Sequence, residues 1–236
     1  MTHTPEIETA GRSTAGKVFP ETNSWWRRLW VALGILIAFW FLVFFVPPYL
    51  TLDPGQSRLP LRADVALHYP LLVAHVLFGT IAMATVPFQV WTKLRQKHPR
   101  FHRINGRVHV WAGVVPSGLL ALAITPFAQG PAGNGIGAVL WLAATIAGFR
   151  AARQRRFADH RKWMIYSFAL CMQIIEGRIM VLTIPLLPGY DPASFTLVLE
   201  TASWIGVLLN LIAAQWWLDR TSGRRRAPRR QPSTQS

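Results

Sequence analysis

Residues 98–109 read HPRFHRINGRVH, placing three histidines and three arginines in one short joint between two apolar runs. A second His-Arg pair follows in DHRKWM, residues 159–164. His98, His102 and His109 are spaced by four and seven, so a continuous helix sets them near one face. His102–Arg103 and His160–Arg161 both stand at the entrance of a long apolar segment, which is a helix N-terminus if that segment is helical. A helix N-terminus is the positive end of the macrodipole, so cations placed there oppose it. An anion relieves the conflict, because N-terminal amides and arginine forks both favour phosphate or carboxylate. Imidazole adds donors that become cationic near pH 6.5 in an ordinary environment. The candidate cytoplasmic anion site is therefore His102, Arg103, Arg107, His160 and Arg161. A topology signal alone accounts for the arginines but leaves the repeated histidines unexplained.

A second set of titratable residues lies inside the apolar runs: His75, Glu176, Arg178 and Glu200. Ionisable residues within a bilayer are costly and are paired or functional. At 1.5 Å per residue all four fall roughly 22–27 Å above the basic end of their helices, within one narrow slab. Glu176 and Arg178 are two apart and cannot face each other on one helix. Arg178 with Glu200 is the preferred pair, and Glu176 is the alternative partner. The competing accounts are an ion pair that locks helices together and a site for a proton or substrate.

Metal and catalytic motifs are sparse. A bis-histidine haem needs imidazoles at similar depth on different helices. His102, His109 and His160 are the haem candidates, all near the basic edge, which makes haem b the alternative to having no cofactor. The lone Cys171 and the absence of a tight His pair disfavour zinc. No Walker loop, G-x-S-x-G or His-Glu-x-x-His occurs, so no catalytic residue is assigned and an enzyme is not expected.

These residues must be positioned by apolar helices. About 20 apolar residues cross a bilayer core. Six such runs predict an all-α polytopic bundle, with transmembrane helices over about 27–46, 67–91, 107–127, 132–150, 162–187 and 195–218. The fourth has the weakest start, where Pro131, Gly133, Gly135 and Gly137 crowd together; Gly133-xxx-Gly137 is also a helix-packing motif. Residues 1–22 and the basic tail 219–236 read as disordered cytoplasmic segments flanking one membrane domain, 23–218. The chain carries net charge +15, which would suggest nucleic acid, but 22 of its 25 basic residues fall in alternate connections. That alternation is the positive-inside rule, and it places both termini in the cytoplasm and excludes a nucleic-acid partner. Trp25, Trp26, Trp30, Trp91, Trp111, Trp163, Trp216 and Trp217 collect near the basic ends, as interfacial rings do. The expected partners are the bilayer and anionic phospholipid head groups.

Four stretches carry a resemblance. His75 and Gly79 lead into PFQ at residues 87–89; HRINGR supplies His102, Arg103, Gly106 and Arg107; HRKWMI supplies His160, Arg161, Trp163 and Met164; and Arg178 follows on the same helix. Over about residues 70–185 this pattern resembles the bacterial predicted membrane proteins of domain-of-unknown-function family 2306. The family tends to have an aromatic at the position of His109 and often Arg at that of Tyr166, so His109 is a poor candidate for a shared cofactor ligand. The resemblance implies a multi-pass protein of a bacterial inner membrane and no particular reaction. The residues themselves point to binding or transport of a small anionic, lipidic or protonatable ligand. A haem- or quinone-linked redox protein is the first alternative, and a structural partner subunit of a membrane complex the second.

Overall fold

A computed structural model describes residues 39–222 together with Ala32, Ile35 and Leu36. The described residues are almost wholly helical. The first expected span, 27–46, lies partly outside them, and residues 1–22 and 223–236 lie wholly outside; its last part, 39–45, is helical and is labelled α1. A short turn, α2 (Pro47–Leu50), leads into the loop that precedes α3 (His68–Val90). Then come α4 (Thr92–Lys97), α5 (Pro99–Val108), a π-helical segment His109–Val114, α6 (Val115–Ile124), α7 (Pro131–Arg153), α8 (Phe157–Thr183) and α9 (Phe195–Ser222).

Five helices among the described residues are long and apolar enough to cross a membrane: His68–Val90, Pro99–Phe127, Pro131–Arg153, Phe157–Leu186 and Pro192–Thr221. A 23-residue helix such as α3 is about 34 Å long, enough for a hydrocarbon core. Their outward faces are apolar as well: Leu208, Leu209 and Ile212 on α9 are each more than half exposed. Contiguous exposed leucine and isoleucine is unfavourable in water but matches lipid.

Three boundaries differ from the sequence expectation. The third span starts at Pro99 rather than near 107, because α5, the π-helical segment and α6 run on as one helix. Proline at the first helical position is preorganised for that start. α5 is also held to α3: Asn105 Nδ2 donates to the Thr85 carbonyl at 3.0 Å, and Gln89 Nε2 to that of His102 at 3.3 Å. The fifth span starts at Phe157 rather than 162. The sixth runs to Ser222, so residues 219–222 of the expected tail are helical, with the Arg220 guanidinium 4.0 Å from the Trp216 ring centre. The π-helical segment has a local cause. Pro116 has no N–H and its ring crowds the carbonyl four residues back, and just before it the Val115 amide reaches five residues back to Val110.

The glycines that weaken α7 as a sequence make it as a packing element. A Cβ on Gly133 would meet Ser203 Cβ at 2.7 Å, and one on Gly137 would meet Gln173 Oε1 at 2.7 Å. α7 therefore approaches α9 and α8 closely along its glycine face, as small residues allow in membranes. α8 lies along both α7 and α9, while α3 packs on α5, the π-helical segment and α6. Gly113 fits this second contact, since a Cβ there would stand 2.8 Å from Ala82 Cα.

Candidate functional site

The helix ends sort into two groups. At one end, the start of α5 meets the end of α3, and the start of α8 meets the ends of α7 and α9. This end holds the arginine-rich connections and is called the basic end. His102 lies in the first turn of α5 and His160 in the first turn of α8, both of which begin earlier than the expected spans. The two imidazoles lie within Coulombic reach of each other and of Arg95. His160 Nδ1 is 2.9 Å from the Gly148 carbonyl. A carbonyl only accepts, so Nδ1 carries the proton and Nε2 is left free. His102 Nδ1 is buried and has no hydrogen-bond partner. Arg161 reaches across to α9, donating from Nη2 to Thr221 Oγ1 at 2.9 Å. Arg103 and Arg107 are exposed. The structure thus sets His102 and His160 at the same end of the bundle, ties Arg161 to a neighbouring helix and leaves Arg103 and Arg107 on the surface.

The helix starts differ in how the macrodipole is met. α5 has no acidic residue in its first turn and no side-chain cap. α8 has Asp159 there, which pairs instead with Arg156 at 2.8 Å.

The second set does not form one cluster. His75 Nδ1 donates to the Ser117 carbonyl at 2.9 Å, joining α3 to α6. Glu176 accepts from Asn210 Nδ2 at 2.6 Å, joining α8 to α9. Glu200 reaches the start of α7, where its oxygens accept from the amides of Ala132 at 3.2 Å and Gly133 at 2.8 Å, and from Trp204 Nε1 at 2.8 Å. The expected Arg178–Glu200 pair is therefore not made. A carboxylate at a helix N-terminus gains both amides and dipole, and Glu200 already has them. Ion pairs among the described residues are Arg62–Asp64 and Arg156–Asp159, both between exposed side chains. In the first, hydrogen bonds from Arg62 hold the Asp64 carboxyl below the usual carboxylate range.

The haem candidate His109 is buried, with Nδ1 2.9 Å from Thr85 Oγ1 and 3.1 Å from the Ala82 carbonyl. Among the described residues no group of three or more His, Cys, Asp or Glu is placed to hold a metal ion.

Sequence reasoning missed the partners rather than the charged residues. Asn210, Ser117 and Trp204 all sit in apolar runs; Trp204 stands one helical turn after Glu200, a spacing that could have signalled the contact.

Long apolar helices, lipid-compatible outer faces and basic residues gathered at the helix ends define a multi-pass helical membrane protein. The chain belongs to the family described as "Predicted membrane protein (DUF2306)", whose model matches residues 72–218. That match takes in α3 to α9 nearly whole, and with them His75, both His-Arg pairs, Glu176, Arg178 and Glu200. No curated protein and no solved structure matches the chain.

Proposed function

We propose that this membrane protein binds or transports an anionic ligand, with the oxyanion held at the basic end between the starts of α5 and α8. The observation that carries the reading is the buried, unpartnered Nδ1 of His102, at a helix start with no acidic residue of its own. His160 leaves Nε2 free, and Arg95 adds positive charge. Phosphate or carboxylate complements such a set. The charge pattern supports a basic end facing the cytoplasm, apolar run length supports six spans, and the family resemblance suggests a bacterial inner membrane, where anionic phospholipids supply phosphate heads. A structural subunit without its own ligand would have no use for the open imidazoles.

The test is thermal unfolding of the detergent-purified full chain with dihexanoyl phosphatidic acid. Stabilisation is expected in the native protein and a clearly smaller stabilisation in His102→Ala with His160→Ala. Equal stabilisation of both would overturn the site. A redox reading has one observation in its favour: His75, His109 and His160 each donate Nδ1–H to a backbone carbonyl, the arrangement that orients imidazoles for ligation through Nε2. A haem-type absorption band in the native protein, lost in the double variant, would replace the anion reading with that one.

A further inference from the structure

The opposite end of the bundle contains a cavity of about 230 Å³ lined by Phe45, Tyr49, Arg58, Leu59, Arg178 and Leu182. It lies where α1, α2 and the following loop meet the last turns of α8. Two arginines line it and no Asp or Glu does. Glu176 and Glu200, the acids of the membrane segments, are held by Asn210 and by the start of α7. In the loop, Asp53 accepts from the Gly55 amide at 2.9 Å and Asp64 is paired with Arg62.

Arg178 is partly buried five residues before the end of α8 and makes no ion pair among the described residues. A guanidinium in a membrane segment is not left alone without consequence; it recruits an anion, a carbonyl or water. Arg58 is fixed differently. Its guanidinium carbon lies 4.2 Å from the Phe44 ring centre and 5.6 Å from that of Phe45. A cation–π contact occupies the flat face of the guanidinium and leaves its N–H edge free to donate. Tyr49 brings a phenol into the same wall, and the Tyr69 hydroxyl, in the cluster packed around Tyr49, is buried without a partner. Phe45, Leu59 and Leu182 complete the lining with apolar surface.

We propose that this cavity is a second oxyanion site, in which Arg58 and Arg178 hold a phosphate or carboxylate head and Phe45, Leu59 and Leu182 receive apolar atoms attached to it. It is independent of the basic-end site, sharing no residue with it. Two planar forks suit the two or three equivalent oxygens of such a head, and a phenol can add a third donor. The mixture of guanidinium and aliphatic wall favours an amphiphile over a free inorganic ion.

The experiment measures binding to the detergent-purified full chain by isothermal titration, with three probes: dihexanoyl phosphatidic acid, hexanoate and inorganic phosphate. The background is His102→Ala with His160→Ala, so that the basic-end site does not contribute. The proposal expects the phosphatidic acid or hexanoate to bind, and Arg58→Gln and Arg178→Gln each to weaken that binding at least tenfold. Arg58→Gln is on an exposed loop residue and should fold even where Arg178→Gln does not. Arg178→Lys, which keeps charge but loses the fork, should give an intermediate loss. Binding of inorganic phosphate as tight as that of the amphiphiles, with the same arginine dependence, assigns the site to a free oxyanion. Unchanged affinity in Arg58→Gln, or no binding by any of the three probes, overturns the proposal.

Discussion

α7 and α5 begin at opposite ends of the bundle, and their starts are treated in opposite ways. At α7 the chain brings its own anion: Glu200, from α9, accepts from the amides of Ala132 and Gly133, and the Trp204 indole holds the same carboxylate. At α5 the chain brings cations, with Arg100 and Arg103 in or beside the first turn, His102 between them, and no side-chain cap. Helix dipoles are alike whatever the sequence, so the first start is satisfied internally and the second is not. The same division runs through the titratable residues. Those in the membrane interior mostly tie helices together, as Glu176 does with Asn210 and His75 with Ser117. Those at the basic end leave ring nitrogens open. Charge in the interior of this protein is mainly architectural, and charge at its basic end is, on the proposed reading, available to a ligand.

The largest effect should come from removing the internal anion. Glu200→Leu leaves two amides and an indole N–H without their acceptor, which should cost about 3 kcal/mol of stability, read by thermal or denaturant unfolding in detergent. Because Glu200 is bound to α7 and not to Arg178, the losses from Glu200→Leu and Arg178→Leu should add in the double variant. Recovery of stability in that double variant would show that the two side chains are paired after all, and the contrast between the two helix starts would fail.

A smaller effect should follow from giving α5 what α7 already has. Arg100→Glu places a carboxylate in the first turn of α5, where it meets the dipole. It should stabilise the protein by about 0.5 kcal/mol and at the same time weaken binding of a phosphate-bearing lipid. Unchanged lipid binding would mean that the dipole and charge at this start play no part in holding the anion.

Much of this organisation is legible in the chain itself. Apolar run length and alternating charge mark the spans, since bilayer thickness and the positive-inside rule act on composition alone. Both His-Arg pairs stand in the first turns of α5 and α8, because these helices begin earlier than the apolar runs alone suggest. What was not legible is pairing between distant helices. Arg178 and Glu200 match in charge and approximate depth, but depth leaves the direction around each helix axis undetermined. The amides of Ala132 and Gly133 carry no sequence signal as partners, yet they compete successfully for the carboxylate. Polar residues such as Asn210 look like interruptions of an apolar run until a neighbouring helix is in place. The glycines at the start of α7 misled in the other direction: they lower helix propensity, but the close contacts with Ser203 and Gln173 require them.

The most direct test of an open anion site at the basic end is the affinity of the full chain for dihexanoyl phosphatidic acid at pH 7, measured with Arg58→Gln in every protein to silence the opposite end. Imidazole N–H groups donate to phosphate oxygens, and hydrogen bonds to a charged group are among the stronger ones. Binding is therefore expected with the two histidines in place, and binding weaker by at least about tenfold in His102→Ala with His160→Ala. Equal affinity without the two histidines would contradict the site.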